Sequence, residues 1–270
     1  MKKIGKVLIW ILGIVAVIYV AGCIWFYSTQ EKVLFDTSAK LAADHVFQFT
    51  TPFEERSISM EDGKKLNGVL FRAEDPKGLI LYLPGGRGMI DSIGVNASVY
   101  TDLHYDFFVL NYRGFGKSEG NIKSEKQFDQ DIQTVYDYFK KEYGENNMVV
   151  IGYSLGSGMA AALASANHPR MLILEAPYYS MSELTRNAFP YLPVSLLLKY
   201  KYPTNEYLTQ VKSPVVIIHG ESDKRIPAQI SRRLKESLKP TDELIIINGQ
   251  GHNNFEQNEE YKTQLARILE

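Results

Sequence analysis

The feature that most constrains the fold of this chain is a set of six short, uninterrupted apolar runs. None of them contains a charged residue, and they occupy residues 79–83, 107–110, 148–151, 171–174, 215–218 and 244–247. Strands that are buried on both faces have this composition, whereas strands with one exposed face alternate apolar and polar residues. The runs therefore predict the central strands of a sheet that is covered on both sides.

Segments with helical periodicity separate these runs. The clearest one places Phe128, Ile132, Val135 and Phe139 on one helical face, directly after a capping box at 124–127. Alternating strands and helices predict an α/β fold, with a mostly parallel sheet and helices on both faces. In such a sheet, functional residues follow the carboxyl ends of the strands.

A longer apolar run near the N-terminus predicts a membrane anchor. Residues 7–27 are uncharged, and as a helix rising about 1.5 Å per residue they span roughly 30 Å, the thickness of a bilayer core. Lys2, Lys3 and Lys6 precede this run. Basic residues stay on the cytoplasmic side, so we expect a cytoplasmic N-terminus and an α/β domain on the non-cytoplasmic side.

The same region leaves a second kind of anchor open. Residues 20–23 resemble a bacterial lipobox, which is cleaved before its cysteine so that Cys23 would carry a lipid. The apolar run continues past Cys23, which favours the spanning helix. Cys23 is also the single cysteine of the chain, and this excludes an intramolecular disulfide.

The predicted organisation of the 270 residues is one folded domain with an N-terminal extension. Its parts are an anchor at 1–27, an irregular juxtamembrane segment at 28–55 that packs on the domain, and an α/β domain at 56–270. Residues 56–71 predict a hairpin around a turn signal at 61–64.

Charge and metal-binding patterns exclude several classes of function. The chain has 30 basic and 31 acidic residues and a net charge of -1, so it lacks the basic surface that nucleic acid requires. The paired Cys and His spacings of zinc sites are also missing. We therefore expect no nucleic-acid partner, no metal and no cofactor.

A candidate nucleophile follows the third apolar run. The stretch Gly152-Tyr153-Ser154-Leu155-Gly156 comes directly after residues 148–151 and before a segment of small residues with helical character. This is the context of a nucleophile elbow, in which a strained turn exposes the serine hydroxyl above the sheet. Gly152 and Gly156 remove side chains that would collide in such a turn. Ser154 is the predicted nucleophile.

A serine needs a general base, and His252 is the best candidate among five histidines. It follows the last apolar run in a glycine loop at 249–253, which can reach the carboxyl edge of the sheet. His219 ends a strand and is predicted to be structural. The remaining histidines are predicted to have surface or packing roles; they are His45, His104 and His168.

The acid that orients the base is predicted to be Asp223. It follows the run at 215–218 and gives the chain order Ser, Asp, His. Glu175, at the end of the preceding run, is the alternative.

An oxyanion hole requires two backbone donors. The Leu155 N–H is the first, since it follows the nucleophile. The glycine loop at 84–88 supplies the second, for which we predict the Gly86 N–H, with Arg87 as the alternative. Arg87 and Tyr153 are also predicted to contact substrate.

With these residues in place, the chain resembles the α/β-hydrolase superfamily, in particular its N-terminally anchored abhydrolase-domain or serine-aminopeptidase-like branch. Further stretches carry the resemblance; they are 30–35, 111–120, 174–181, 213–223 and 251–253. The resemblance implies an eight-stranded sheet and a short helical cap at about 182–208.

The expected activity is that of a serine hydrolase, which cleaves an acyl ester or thioester through an acyl-enzyme. A cap containing residues 196–198, an anchor and Arg87 favour a small or lipid-like substrate with an apolar acyl group. Amide hydrolysis of the aminopeptidase type is the alternative and requires acidic groups for a free ammonium; the candidates are Glu175, Glu183 and Glu221. A non-catalytic scaffold is disfavoured because all three triad residues are present.

Overall fold

All six apolar runs lie in strands of one sheet. The computed structural model describes residues 2–35, 40–86 and 88–270. Within these residues the sheet has eight strands: β1 (Phe53–Ser59), β2 (Lys65–Phe71), β3 (Gly78–Leu83), β4 (Tyr105–Leu110), β5 (Met148–Tyr153), β6 (Met171–Glu175), β7 (Val215–Gly220) and β8 (Glu243–Ile247). Their order is β1-β2-β4-β3-β5-β6-β7-β8. Strands β3 to β8 are parallel, and β1 and β2 are antiparallel. The predicted mostly parallel, eight-stranded sheet is confirmed.

Helices cover both faces of this sheet. They are α1 (Lys2–Leu34), α2 (Ile90–Gly94), α3 (Ser98–Thr101), α4 (Glu125–Tyr143), α5 (Gly156–Ala166), α6 (Met181–Ala188), α7 (Val194–Leu197), α8 (Thr204–Leu208), α9 (Gln229–Leu234) and α10 (Glu259–Leu269). Short 3₁₀ helices occupy Glu145–Asn147, Lys235–Ser237 and Phe255–Gln257. Helices α6, α7 and α8 lie in the region where the resemblance implies a cap.

Alternate residues of β3 belong to two separate apolar clusters. Leu81 lies in a cluster with residues of α4, α5 and α6, whereas Ile80 lies in a cluster with residues of α2, α3 and α10. Successive side chains of a strand point to opposite faces, so each face of the sheet has its own core. This two-sided burial is the reason that the central strands are apolar throughout.

Two local predictions are also confirmed. Strands β1 and β2 pair as an antiparallel hairpin, with Ser59 opposite Lys65. Helix α4 begins after Ser124, whose hydroxyl accepts a hydrogen bond from the Gln127 N–H at 3.2 Å. The apolar face of α4 that the sequence predicted, beginning at Phe128, is buried.

The N-terminal helix is longer than the sequence predicted. Helix α1 continues to Leu34, so residues 28–34 are helical rather than irregular. The reason is tertiary contact: Gln30 is fully buried, which holds the additional turns against the cap. Within the described ranges, α1 is the one helix long and apolar enough to cross a membrane, and its residues 3–21 are exposed.

Candidate active site

Ser154 occupies a strained turn between β5 and α5. Its φ angle is 50°, in the left-handed region that residues other than glycine rarely adopt. The Ser154 N–H donates a hydrogen bond to the Glu175 carbonyl oxygen at 2.8 Å, and the Ser157 N–H donates to the Ser154 carbonyl oxygen at 3.0 Å. The backbone on both sides therefore holds the turn in the conformation that presents the Ser154 hydroxyl.

The two glycines that flank the turn allow a close approach of backbone to backbone. A Cβ atom on Gly156 would lie 2.0 Å from the Leu83 carbonyl oxygen. A Cβ atom on Gly152 would lie 2.5 Å from the Ala160 Cβ and 2.6 Å from the Gly156 carbonyl oxygen. Both positions exclude any side chain, because the contacted atoms belong to the sheet and to α5.

The structure brings Ser154, His252 and Asp223 into one chain of hydrogen bonds. Ser154 Oγ lies 3.0 Å from His252 Nε2, and His252 Nδ1 lies 2.6 Å from Asp223 Oδ2. The three residues follow β5, β8 and β7, respectively, at the same edge of the sheet. A protonated Nδ1 that donates to the Asp223 carboxylate leaves Nε2 as an acceptor for the serine proton.

Asp223 is held as a carboxylate by several donors. Its Oδ1 accepts hydrogen bonds from the backbone N–H groups of Arg225 and Ile226, at 2.8 and 2.9 Å. His219 Nε2 lies 3.3 Å from Oδ2. Burial raises the pKa of Asp223, but the hydrogen bonds from His219, His252 and Ile226 outweigh it and hold this pKa well below its usual range.

His219 has a structural position. It is fully buried, its Nδ1 lies 2.6 Å from Ser231 Oγ, and its Nε2 lies 2.8 Å from the Ile226 carbonyl oxygen. Since a carbonyl oxygen can only accept, Nε2 carries the proton, and the ring supports the loop that contains Asp223.

The loop that contains His252 is fixed by Tyr153. The Tyr153 hydroxyl lies 2.9 Å from the His252 carbonyl oxygen and 2.8 Å from Asn253 Oδ1. The Gln250 side-chain amide also donates to the Asn253 carbonyl oxygen at 2.7 Å. Tyr153 was predicted as a substrate contact; it lies in a cavity wall beside Ser154 and also positions His252.

Glu175, the alternative acid, is placed elsewhere. It is fully buried, and the Tyr261 hydroxyl donates to its Oε1 at 2.5 Å. Within the described part of the chain its Oε2 has no hydrogen-bond partner. Burial and the neighbouring Glu256 raise the pKa of Glu175 to about 8. The carboxyl group joined to His252 is therefore that of Asp223.

The two residues predicted to supply the oxyanion donors, Gly86 and Leu155, lie next to each other. A Cβ atom on Gly86 would lie 3.2 Å from Leu155 Cδ2, and one on Gly85 would lie 3.4 Å from Ser154 Cβ. Among the residues described, the N–H groups of Gly86 and Leu155 donate no hydrogen bond. Arg87, predicted as a substrate contact and as the alternative donor, lies outside the described residues.

Two cavities meet at Ser154, Gly86 and Arg225. The first has a volume of about 470 Å³, and the rest of its lining is mostly apolar in residue type: Lys32, Val33, Leu34, Leu155, Tyr178, Met181, Leu184 and Ile226. The second has a volume of about 360 Å³, and its lining mixes polar and apolar residues: Tyr82, Met89, Ser92, Ile93, Asn96, Tyr153, Asn253, Asn254, Phe255 and Glu256. Both cavities therefore present polar as well as apolar groups, and Ser154 lies where they meet.

The cap contributes different residues from those that the sequence suggested. Leu196 is 82% exposed and Leu198 is buried in the core, so these leucines do not line the first cavity. Met181 and Leu184 of α6 line it instead. Helical phase explains the difference, because only one face of a short cap helix points toward the serine.

The acidic residues considered for an ammonium group are engaged or remote. Glu183 forms two hydrogen bonds with Arg233, at 2.8 and 3.2 Å, and Glu175 is buried against Tyr261. Glu221 is exposed and does not line either cavity. Glu256, which sequence reasoning missed, lines the second cavity.

Arg225 was missed as well, although a signal for both residues existed. Each lies close to a predicted triad residue, Arg225 two positions after Asp223 and Glu256 four positions after His252. Residues that follow a catalytic strand end share its edge of the sheet, and this makes them candidates for substrate contact.

Comparison with known proteins agrees with this fold. The family described as serine aminopeptidase, S33, matches residues 74–204. An uncharacterized protein of Mycobacterium tuberculosis is 26% identical over 250 residues, which cover 91% of this chain and 88% of that protein.

The names of one similar protein and of one similar structure state an enzymatic activity. The lysophosphatidylserine lipase ABHD12 of Macaca fascicularis is 28% identical over 186 residues, which cover 60% of this chain and 46% of that protein. The Pyrococcus furiosus esterase PF2001 superimposes with a TM-score of 0.66 at 19% identity, over 82% of this chain and 90% of the esterase.

The buried carboxyl of Glu175 predicts a pH-dependent loss of stability. Its pKa rises from 4.5 to about 8 on folding. Below pH 4.5 the Glu175 carboxyl group is protonated in both the folded and the unfolded chain. Between pH 4.5 and about pH 8 it is ionised only in the unfolded chain. The free energy of unfolding should therefore fall as pH rises, by up to about 1.4 kcal/mol per pH unit, until the folded chain ionises near pH 8.

Glu175→Gln should remove this contribution. The melting temperature of Glu175→Gln in detergent, relative to that of the natural chain, should increase from pH 5 to pH 8. Glu236→Gln, at an exposed position, is the control, and its melting temperature should change with pH as that of the natural chain does. Parallel curves for Glu175→Gln and the natural chain would contradict the assigned pKa.

Proposed function

We propose that the chain is a serine hydrolase of the α/β-hydrolase superfamily and that it cleaves an acyl ester or thioester through an acyl-enzyme intermediate. The observation that carries this proposal is the hydrogen-bonded chain from Ser154 Oγ through His252 to Asp223. A serine hydroxyl becomes an effective nucleophile when such a base accepts its proton.

Each step of the proposed reaction uses a group described above. Ser154 Oγ attacks the substrate carbonyl carbon while His252 Nε2 takes the hydroxyl proton, and Asp223 stabilises the imidazolium that forms. The Gly86 and Leu155 N–H groups donate hydrogen bonds to the oxyanion. The tetrahedral intermediate then expels the alcohol or thiol, which receives the proton from Nε2.

The second half of the reaction repeats the same chemistry with water. His252 Nε2 takes a proton from the water that attacks the acyl carbon. As the tetrahedral intermediate collapses, the His252 imidazolium returns the proton to Ser154 Oγ and the carboxylic acid leaves. The free serine and the neutral imidazole are restored, so one water is consumed for each bond cleaved.

The side chains beside Ser154 support an ester or thioester substrate with an apolar acyl group. The acyl chain would lie in the first cavity, against Met181, Leu184 and Ile226, and the leaving group would lie in the second. Two of the similar proteins are described as a lipase and an esterase, which is consistent with this preference. We propose a lipid-like acyl substrate on these grounds.

Aminopeptidase-like amide hydrolysis is the second candidate. It is favoured by the description of the matching family and by the position of Glu256 in the second cavity. Burial raises the pKa of Glu256, which disfavours the charged carboxylate that an ammonium group binds. The similarity to a protein described as a lipase favours ester cleavage, which remains the preferred proposal. A non-catalytic scaffold is disfavoured by the geometry around Ser154.

We further propose that α1 anchors the enzyme in a membrane, with its lysines in the cytoplasm and the catalytic domain on the other side. Its apolar length and exposed residues 3–21 support this role. Cys23, in the middle of α1, is the attachment point in the lipoprotein alternative.

Ser154→Ala should abolish covalent labelling by a fluorophosphonate probe and lower turnover by about 10⁴-fold or more, since the variant lacks the nucleophile. Ser165→Ala, also on the α5 side of the elbow, is the matched control and should label normally. Undiminished labelling of Ser154→Ala would rule out this serine.

Asp223→Asn should lower turnover far more than Glu175→Gln, because only the Asp223 carboxylate is hydrogen-bonded to His252. A larger loss of turnover in Glu175→Gln would reassign the acid to Glu175.

The full chain in detergent should cleave p-nitrophenyl esters faster than aminoacyl-nitroanilides. Among the esters, kcat/KM should rise with the length of the acyl chain. Each buried methylene contributes about 0.8 kcal/mol, so about two added carbons should raise kcat/KM roughly tenfold until the cavity is filled. Faster cleavage of the nitroanilides than of every ester would establish the amide alternative. In that case Glu256→Gln should lower the nitroanilide rate relative to the ester rate.

The anchor proposal predicts an intact Met1 in the mature protein and resistance to alkaline extraction from membranes. Cys23→Ala should fractionate like the natural chain, whereas a chain that starts at Trp25 should leave the membrane fraction. A lipidated Cys23 at the mature N-terminus, or release of Cys23→Ala from membranes, would establish the lipoprotein instead.

A further inference from the structure

The C-terminal end of α1 forms part of the wall of the first cavity. Lys32, Val33 and Leu34 line this cavity together with Ser154, and Val33 and Leu34 are its apolar contribution. Val33 is 47% exposed, so its side chain has room to contact a bound molecule. These residues belong to the same continuous helix as the apolar N-terminal run. One continuous helix therefore contains both the exposed apolar run and the residues that line the cavity.

Gln30 fixes this end of the helix to the cap. Its Nε2 donates a hydrogen bond to the Leu197 carbonyl oxygen at 3.1 Å, and its Oε1 accepts one from the Lys199 N–H at 2.8 Å. Gln30 is fully buried. A buried amide that uses both its donor and its acceptor on one backbone segment determines both the position and the rotation of the helix.

Contacts on neighbouring turns reinforce this connection. The rings of Phe26 and Phe189 lie 5.3 Å apart, and Lys199 Nζ lies 2.9 Å from Glu31 Oε1. Phe26 is buried, whereas most of the preceding helix is exposed. Because Phe26, Gln30 and Leu34 are spaced by four residues, they lie on one face of α1. That face is the one packed against the catalytic domain.

The last residue of α1 also contacts the loop of the proposed oxyanion hole. A Cβ atom on Gly86 would lie 2.8 Å from the Leu34 carbonyl oxygen. The backbones of α1 and of this loop are therefore in close contact beside Leu155. The helix end is a part of the site, not a tether that ends at a distance from it.

We propose that Val33 and Leu34 bind the substrate acyl chain and determine its preferred length. This inference rests on the proposed serine hydrolase function. The acyl chain extends from the carbonyl at Ser154 across the last turn of α1. Tyr27, at the end of the anchor run, lies seven residues before Leu34, which is about 10 Å along the helix. A chain longer than the cavity therefore continues along α1 toward the bilayer, and the substrate is a long-chain acyl ester held at the membrane.

The test is the acyl-length profile of the full chain in detergent, measured with p-nitrophenyl esters from acetate to dodecanoate. Val33→Trp fills the cavity and should lower the ratio of kcat/KM for dodecanoate to that for acetate by about tenfold, the effect of excluding about two methylenes. Leu34→Ala enlarges the cavity and should move the optimum toward longer chains. Val46→Trp, at an apolar position that is 73% exposed and outside the cavity, is the matched control and should keep the natural ratio.

The outcomes separate this inference from the proposed function. If the natural chain cleaves esters and labels at Ser154, but Val33→Trp and Leu34→Ala keep its acyl-length profile, the hydrolase proposal stands and the role of α1 is wrong. If the natural chain neither labels at Ser154 nor cleaves any ester, both are wrong. Opposite shifts in the two variants, with Val46→Trp unchanged, support the inference.

Discussion

The tight turn from β5 into α5 at Ser154 is the constraint on which the site depends. The start of α5 lies against the backbone at the end of β3, and a single methyl group on Gly156 would overlap the Leu83 carbonyl oxygen. The unfavourable φ angle of Ser154, a strain of order 1–3 kcal/mol, persists because the surrounding strands and helix leave no alternative path. The sheet thereby supplies the rigidity that a serine needs to keep its hydroxyl aligned with a base.

The partners of Ser154 reach it from separate strands, and each has its own support. Asp223 is held by backbone donors and by His219, and the His252 loop is held by Tyr153. In the proposed reaction, such a network would lower the cost of reorganisation during proton transfer, because the groups already occupy their working positions. Glu175 shows the opposite use of an acidic residue: its carboxyl group is buried at a cost in stability, while its backbone carbonyl helps to hold the elbow.

The sequence predicted the parts of the fold that local patterns determine. Apolar runs indicated the central strands, and the positions of Ser154, Asp223 and His252 after three of those runs indicated a common edge, where the structure joins them. Patterns of this kind do not report which distant segments touch. The extension of α1 depends on Gln30 meeting the backbone near Leu197, and the cavity lining depends on the rotation of α6. Glu256 differs, since its place four residues after His252 was a signal that it shares this edge of the sheet.

The continuity of α1 has a geometric consequence for an enzyme anchored by this helix. A flexible tether would let the catalytic domain tumble above the bilayer, whereas a continuous helix docked through Gln30 transmits orientation as well as attachment. Each residue of a helix turns by about 100° and rises by about 1.5 Å. One residue added between Tyr27 and Gln30 would therefore swing the anchor by more than a quarter turn relative to the cavity. If α1 anchors the chain as proposed, the register of this short stretch sets the azimuth at which the proposed active site faces the membrane.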